Sequence, residues 1–170
     1  MALYAIADLH LSLGTDKPMD VFRGWENYVE RLEKNWRALV TEEDTVVIAG
    51  DISWGMGLEE TVQDFTFLES LPGKKLLLKG NHDYWWSTRS KIEAFFAARG
   101  FCSMELVFNP AVRVGDITVC GTRGWLYNAE TPEDRKILAR ENGRLTLSLG
   151  AAQKLGGTPV VFPHYPPLHD

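Results

Sequence analysis

Short apolar runs alternate along the chain with segments whose apolar residues recur every three or four positions. Residues 3–7, 45–49, 75–78 and 159–162 are the runs, each short enough for a buried strand and too short for a helix. Between the first two, Phe22, Trp25, Val29, Leu32, Trp36 and Leu39 fall on one face of a long amphipathic helix. Leu58, Val62, Phe65 and Leu68 repeat that spacing, and Pro72-Gly73 closes the helix. Ile92, Phe95 and Phe96 mark a third helix, with Gly100 as its C-terminal cap. The pattern then changes. Residues 111–114 and 117–120 flank Gly115-Asp116, a two-residue hairpin signal. Thr131-Pro132-Glu133-Asp134 opens a fourth helix: a capping Thr, a Pro in the first turn, then acids at the positive end. Gly143 and Gly150 weaken it. A β-α-β-α-β start followed by an antiparallel segment predicts an α/β chain with a mixed sheet or two sheets.

Composition narrows the class without naming a chemistry. Residues 1–170 make one domain with room for a sizeable core. The apolar fraction of 45% and charged fraction of 24% exclude disorder, collagen and coiled coil. A net charge of −5 argues against nucleic acid or an anionic membrane as partner, and leaves room for a small phosphorylated substrate held through metal. Lys74-Lys75 reads as a short solvated pair. Cys102 and Cys120 are expected as buried reduced thiols on strands, with no CxxC pattern. No leader pattern and no apolar run of membrane-spanning length occurs, so the default expectation is a cytoplasmic protein.

The chemistry follows the strands. Asp8 and His10 come after the first run, Gly50 and Asp51 after the second, Gly80-Asn81-His82-Asp83 after the third, and Pro163-His164 after the last. The carboxyl ends of neighbouring parallel strands converge on one crevice, so residues 41, 30 and 83 positions apart (His10, Asp51, Asn81, His164) can meet. Two carboxylates, an amide and two imidazoles, without thiolate, suit Mn²⁺, Fe²⁺ or Zn²⁺, with Ni²⁺ or Co²⁺ also admitted. Five donors exceed the need of one open ion. Asp51, with two oxygens, is the natural bridge between two ions. Each piece alone is a common turn or cap; the ordered set carries the argument.

The constellation Asp8-x-His10, Gly50-Asp51, Gly80-Asn81-His82-Asp83 and His164 resembles the calcineurin-like metallophosphoesterases over essentially the whole chain. The strings Gly80–Trp86 and Gly121–Trp125 look like a bacterial branch of predicted phosphohydrolases. The resemblance implies a four-layer α-β-β-α sandwich of two mixed sheets with the site at their upper edge. It implies that Asp8 and His10 hold one divalent ion, Asn81 and His164 the other, and that Asp51 bridges them. A metal-bound hydroxide would attack a phosphomonoester or phosphodiester. His82 would contact the phosphoryl oxygen and protonate the leaving group, and Asp83 would orient or activate His82. The family pattern ends in a Gly-His-x-His motif, which is absent after His164. The chain is therefore expected to be a member truncated before its final strands, with weaker metal binding and an unpaired sheet edge. Pro166-Pro167 is expected to lead His169 away from the site.

Other residues admit blander roles. Trp25 and Trp36 are expected in the core. Trp54, Trp85 and Trp125 follow strand ends and could line the crevice, with Trp86 pointing elsewhere. Arg123 suits a phosphate oxygen or a surface salt bridge equally; Arg89 is a weaker candidate. No GxSxG elbow or Gly-rich phosphate loop competes. The alternative to a phosphoesterase is a non-catalytic metal-binding or interaction module on the same fold.

Overall fold

Four strands, β1 (Leu3–Ile6), β2 (Thr45–Ile48), β3 (Lys74–Leu77) and β4 (Met104–Leu106), lie side by side in that order, all parallel. Helices make the crossovers: α1 (Tyr28–Leu39), then a 3₁₀ turn at Leu58–Thr61 running into α2 (Val62–Ser70), then α3 (Arg89–Arg99). A second sheet holds β5 (Val112–Val114), β6 (Ile117–Thr122) and β7 (Thr158–Pro163). β5 and β6 are antiparallel across the Gly115-Asp116 turn; β6 and β7 are parallel, joined by α4 (Pro132–Leu155). The structure, a computed structural model, describes residues 1–107, 109–126 and 128–167.

Strand alternation builds the layers. Successive side chains point to opposite faces, so β2 sends Val46 and Ile48 one way and Val47 the other. Val46, Ile48 and Leu77 join Trp36, Phe65, Phe95 and Phe96 in a core beneath the helices. Val47, Leu76 and Leu78 meet Val112, Val114 and Val119 of the second sheet. Cys120 faces outward against Ala152 of α4. Three cores separating four layers give the α-β-β-α sandwich. Because β2 is covered on both faces, its sequence reads as a continuous apolar run rather than an alternation. No helix among the described residues is long and apolar enough to cross a membrane.

Several local expectations change. The first sheet is entirely parallel, and only the second is mixed. The first helix begins at Tyr28, after a left-handed Asn27; Phe22 and Trp25 lie in the preceding turns, and Phe22 and Leu39 are exposed. The fourth helix opens on the expected capping Thr131, which the structure joins with Asp134 in a capping box. It continues through Gly143 and Gly150, around which there is open space. Cys120 is buried on β6, but Cys102 is exposed and precedes β4.

Lys75 is the clearest reversal. It is not solvated: its relative exposure is 0%, and its Nζ donates to the Leu71 carbonyl and, at 3.1 Å, to Ser103 Oγ. Leu71 is the C-cap of α2, where unpaired carbonyls favour a cation. Burial nevertheless lowers the Lys75 pKa to about 8, against Glu69 and Glu42, which favour its charge. Between that value and its ordinary pKa the folded chain has released a proton that the unfolded chain retains, so stability rises with pH across this window. Urea denaturation at pH 7.5 and 9.5 is expected to show a gain of roughly 2 kcal/mol that disappears in Lys75→Met. An equal gain in both proteins would remove Lys75 as its cause.

Candidate metal centre

The loops leaving β1, β2, β3 and β7 share one edge, and backbone hydrogen bonds join the first two. Asp8 N–H donates to Gly50 O (3.0 Å), His10 N–H to Asp51 O (2.9 Å), Leu11 N–H to Ile52 O (3.0 Å) and Trp54 N–H to Leu11 O (2.9 Å). Asp8, His10 and Asp51 all have positive φ, at 58°, 44° and 53°. Such left-handed non-glycine residues cost on the order of 1–3 kcal/mol each and persist only where neighbours fix them. Here the paired loops do so, and the turns aim all three side chains at one place.

Asp83 anchors the same segment from the β3 loop. Its carboxylate accepts from the backbone N–H groups of Asp51 (2.9 Å), Ile52 (2.8 Å), Ser53 (3.4 Å) and Gly80 (2.7 Å), and from the Trp85 indole (3.0 Å). Burial raises the Asp83 pKa against these hydrogen bonds. The His82 ring is oriented instead by Asp51, whose Oδ2 lies 2.8 Å from His82 Nδ1 while its Oδ1 accepts from His82 N–H (2.8 Å). The expected role of Asp83 toward His82 is therefore corrected: its oxygens are occupied holding the loops.

The remaining donors gather around Asp51, which is buried. His10 Nε2 lies 3.7 Å from Asp51 Oδ2 and 3.7 Å from Asp8 Oδ1. His164 Nε2 lies 3.5 Å from Asp51 Oδ1 and 2.8 Å from Asn81 Oδ1. Two groups result, His10–Asp51–His82 and Asp8–Asp51–His164, with donor atoms within 4.8 Å of one another in each. Burial lowers the His10 pKa, outweighing the Asp51 and Asp8 carboxylates. Burial works to raise that of Asp51, but hydrogen bonds from the His82 ring and backbone, with the nearby His164 and His82, leave it below the usual range.

The donor chemistry fits a cation. His164 Nδ1 faces the Ala49 carbonyl at 2.9 Å, which can only accept, so Nδ1 carries the hydrogen. Nε2 then presents a lone pair to two further acceptors, Asn81 Oδ1 and Asp51 Oδ1. A cation seated among these three atoms would satisfy them together. The Ala49 contact supplies the outer hydrogen bond that a ligating histidine normally makes.

A family model for calcineurin-like phosphoesterases matches residues 1–168. The chain belongs to the calcineurin-like phosphoesterase family. It is a hydrolase of phosphoester bonds, and its family implies divalent metal ions. Among solved structures it is similar to the phosphopantetheinyl hydrolase of Mycobacterium tuberculosis, with TM-score 0.57, 15% identity, and coverage of 96% of this chain and 68% of that one. It is also similar to a protein of unknown function from Aquifex aeolicus, with TM-score 0.47, 14% identity, and coverage of 96% and 90%. The search of curated proteins finds no match.

Around the centre of this phosphoesterase the tryptophans separate by role. Trp36 is core, donating to Pro72 O. Trp25, expected in the core, instead lies 5.9 Å from the His10 ring. Trp54 stacks on His10 at 5.0 Å and 22° with Lys17 over its ring, and Trp85 is buried on Phe65 rather than lining the crevice. Trp125 packs on Tyr165, whose ring meets His164 edge-on. Arg123 lies over Trp125 and 3.4 Å from buried Glu141, a largely buried ion pair rather than a surface one; Arg89 pairs with Glu93 on the surface. His169 lies outside the described residues.

Two participants escaped sequence reasoning: Ser53, which follows the Asp51 loop, and Asp64 on α2. A signal for Asp64 exists. Thr61, Asp64, Phe65 and Leu68 share one helical stripe, and all are buried, so a charge occupies a core position.

Proposed function

We propose that this phosphoesterase hydrolyses a phosphomonoester or phosphodiester at a dinuclear divalent metal centre. Asp8 and His10 would hold one ion, Asn81 and His164 the other, with Asp51 shared between them. The observation that carries this reading is the division of the Asp51 carboxylate: Oδ2 faces His10 and Oδ1 faces His164. The oxygen- and nitrogen-rich donor set favours Mn²⁺, Fe²⁺ or Zn²⁺. Ions bound there would supply a nucleophile at neutral pH and neutralise phosphoryl charge. The residues supply the rest. With His82 Nδ1 against Asp51, Nε2 is the nitrogen left for substrate, its contact being the Asn81 amide at 3.4 Å. It is placed to hold a proton for the leaving-group oxygen. Asn81, 3.0 Å from Nδ1, limits rotation of that ring.

The test is the metal content per chain by elemental mass spectrometry after Mn²⁺ loading and desalting, alongside hydrolysis of a chromogenic phosphoester. The expected result is two ions per chain and Mn²⁺-stimulated turnover. One ion, or two without stimulation, would sink the dinuclear reading.

A further inference from the structure

We infer that Asp64 is a positioning residue for the metal centre, acting with Ser53 to hold the loop that carries Asp51 and Trp54 against the loop that carries His10. This rests on the dinuclear reading above, but its first observations need no metal. Asp64 is fully buried, and none of the ion pairs among the described residues involves it. Its Oδ1 accepts from Leu13 N–H at 2.8 Å, and its Oδ2 accepts from the Ser53 hydroxyl. Ser53 Oγ in turn accepts from Gly55 N–H at 3.1 Å. One carboxylate thus grips both loops, Leu13 lying three residues beyond His10 and Ser53 two beyond Asp51.

A carboxylate buried on neutral donors is expensive: burial raises the Asp64 pKa, and the Ser53 and Leu13 hydrogen bonds only oppose this. An apolar residue would suit the stripe of Phe65 and Leu68 better. What the acid supplies is geometry. Ser53 pairs with Leu11 in an isolated parallel bridge, and Trp54 immediately follows. The Trp54 ring stacks on His10 and lies 4.9 Å from His82. The segment from Asp51 to Gly55 is therefore suspended between two buried acids, Asp83 on its backbone and Asp64 on its hydroxyl, so the strut fixes His10 relative to Asp51.

The test compares Asp64→Leu, Asp64→Asn and Ser53→Ala with the parent chain, below their melting temperatures. Its metal-free readout is the His10 imidazole proton shift, displaced by the Trp54 ring current. It should move toward the free-imidazole value in Asp64→Leu and Ser53→Ala. It should stay near the parent value in Asp64→Asn, which keeps an oxygen for Leu13 and a polar group for Ser53. In the loaded protein, Asp64→Leu and Ser53→Ala are expected to weaken Mn²⁺ binding by about 10–100-fold and to lower kcat more than they change KM. A purely structural Asp64 would lower the melting temperature while leaving the His10 shift, Mn²⁺ affinity and kcat of the folded variants unchanged. That result overturns the inference. Should Asp64→Leu not fold, Ser53→Ala reads the same contact from the loop side. If the parent binds no Mn²⁺, the dinuclear reading fails while the His10 shift still decides the strut.

Discussion

Asp51→Asn is expected to cut turnover by roughly a thousandfold or more while leaving the chain folded, because several kcal/mol of charge stabilisation depend on that carboxylate. Asp51 is the acid shared by both donor groups, and it is buried whereas Asp8 is exposed. The amide removes its negative charge and presents either an N–H₂ group to His82 Nδ1, 2.8 Å away, or one to His164. The fold should survive, because the local backbone is held independently: Asp51 N–H by Asp83 and Asp51 O by His10 N–H. His82→Ala is the companion measurement. Removing a proton donor costs about 10²–10⁴ in rate and should leave two ions per chain. Asp51→Asn should lower that number. A His82→Ala chain that loses an ion would make His82 a ligand through the His10–Asp51–His82 group and remove its assignment as proton donor. Comparable kcat/KM in the parent and both variants would overturn the active-site assignment.

How far the sequence could be read depended on whether a residue's job was local. β1, β2, β3 and β7 were legible because an apolar run of strand length has few other uses, and the side chains that follow them needed only strand direction to converge. β4 was not. Its three residues include Glu105, whose side chain pairs with Lys74 of β3, so its strand character comes from the neighbour it joins. Trp25 was misread for the opposite reason: it matched a helical stripe, yet its ring serves His10 ahead of the helix. Lys75 was misread because two adjacent lysines look solvated until the strand beneath them proves central. The donors of the centre were legible by type, whereas the tasks of Asp83 and Asp64 were not. The partners that define those tasks, the backbone amides of Leu13, Asp51 and Ile52 and the Ser53 hydroxyl, come from 11 to 51 residues away, a pairing that only the assembled loops create.

Gly80→Ala should be highly damaging to the centre, and the reason is contact rather than conformation. Gly80 does not require the left-handed region, so alanine can adopt its backbone angles. A Cβ there would lie 2.1 Å from Asp51 Oδ1 and 2.2 Å from Asp51 N, distances that no side-chain rotation relieves because one of the atoms is backbone. Relief requires the β2 and β3 loops to separate. That movement would also pull the Asp51 N–H from Asp83 and shift Asp51 from His82. Gly50 meets the same constraint from the other side, where a Cβ would lie 2.6 Å from Gly80 Cα and 2.7 Å from His164 Nδ1. The two glycines are thus the contact that lets Asp51, His82 and His164 share one space. Overpacking of this kind costs roughly 1–3 kcal/mol or more. Because the displaced group is the shared carboxylate, turnover should fall about as far as in Asp51→Asn. Chemical denaturation with kcat/KM measured on the same preparation checks both. A Gly80→Ala chain within about tenfold of parent activity would mean that the loops part without moving Asp51, and that the close glycine contact does not set the geometry of the centre.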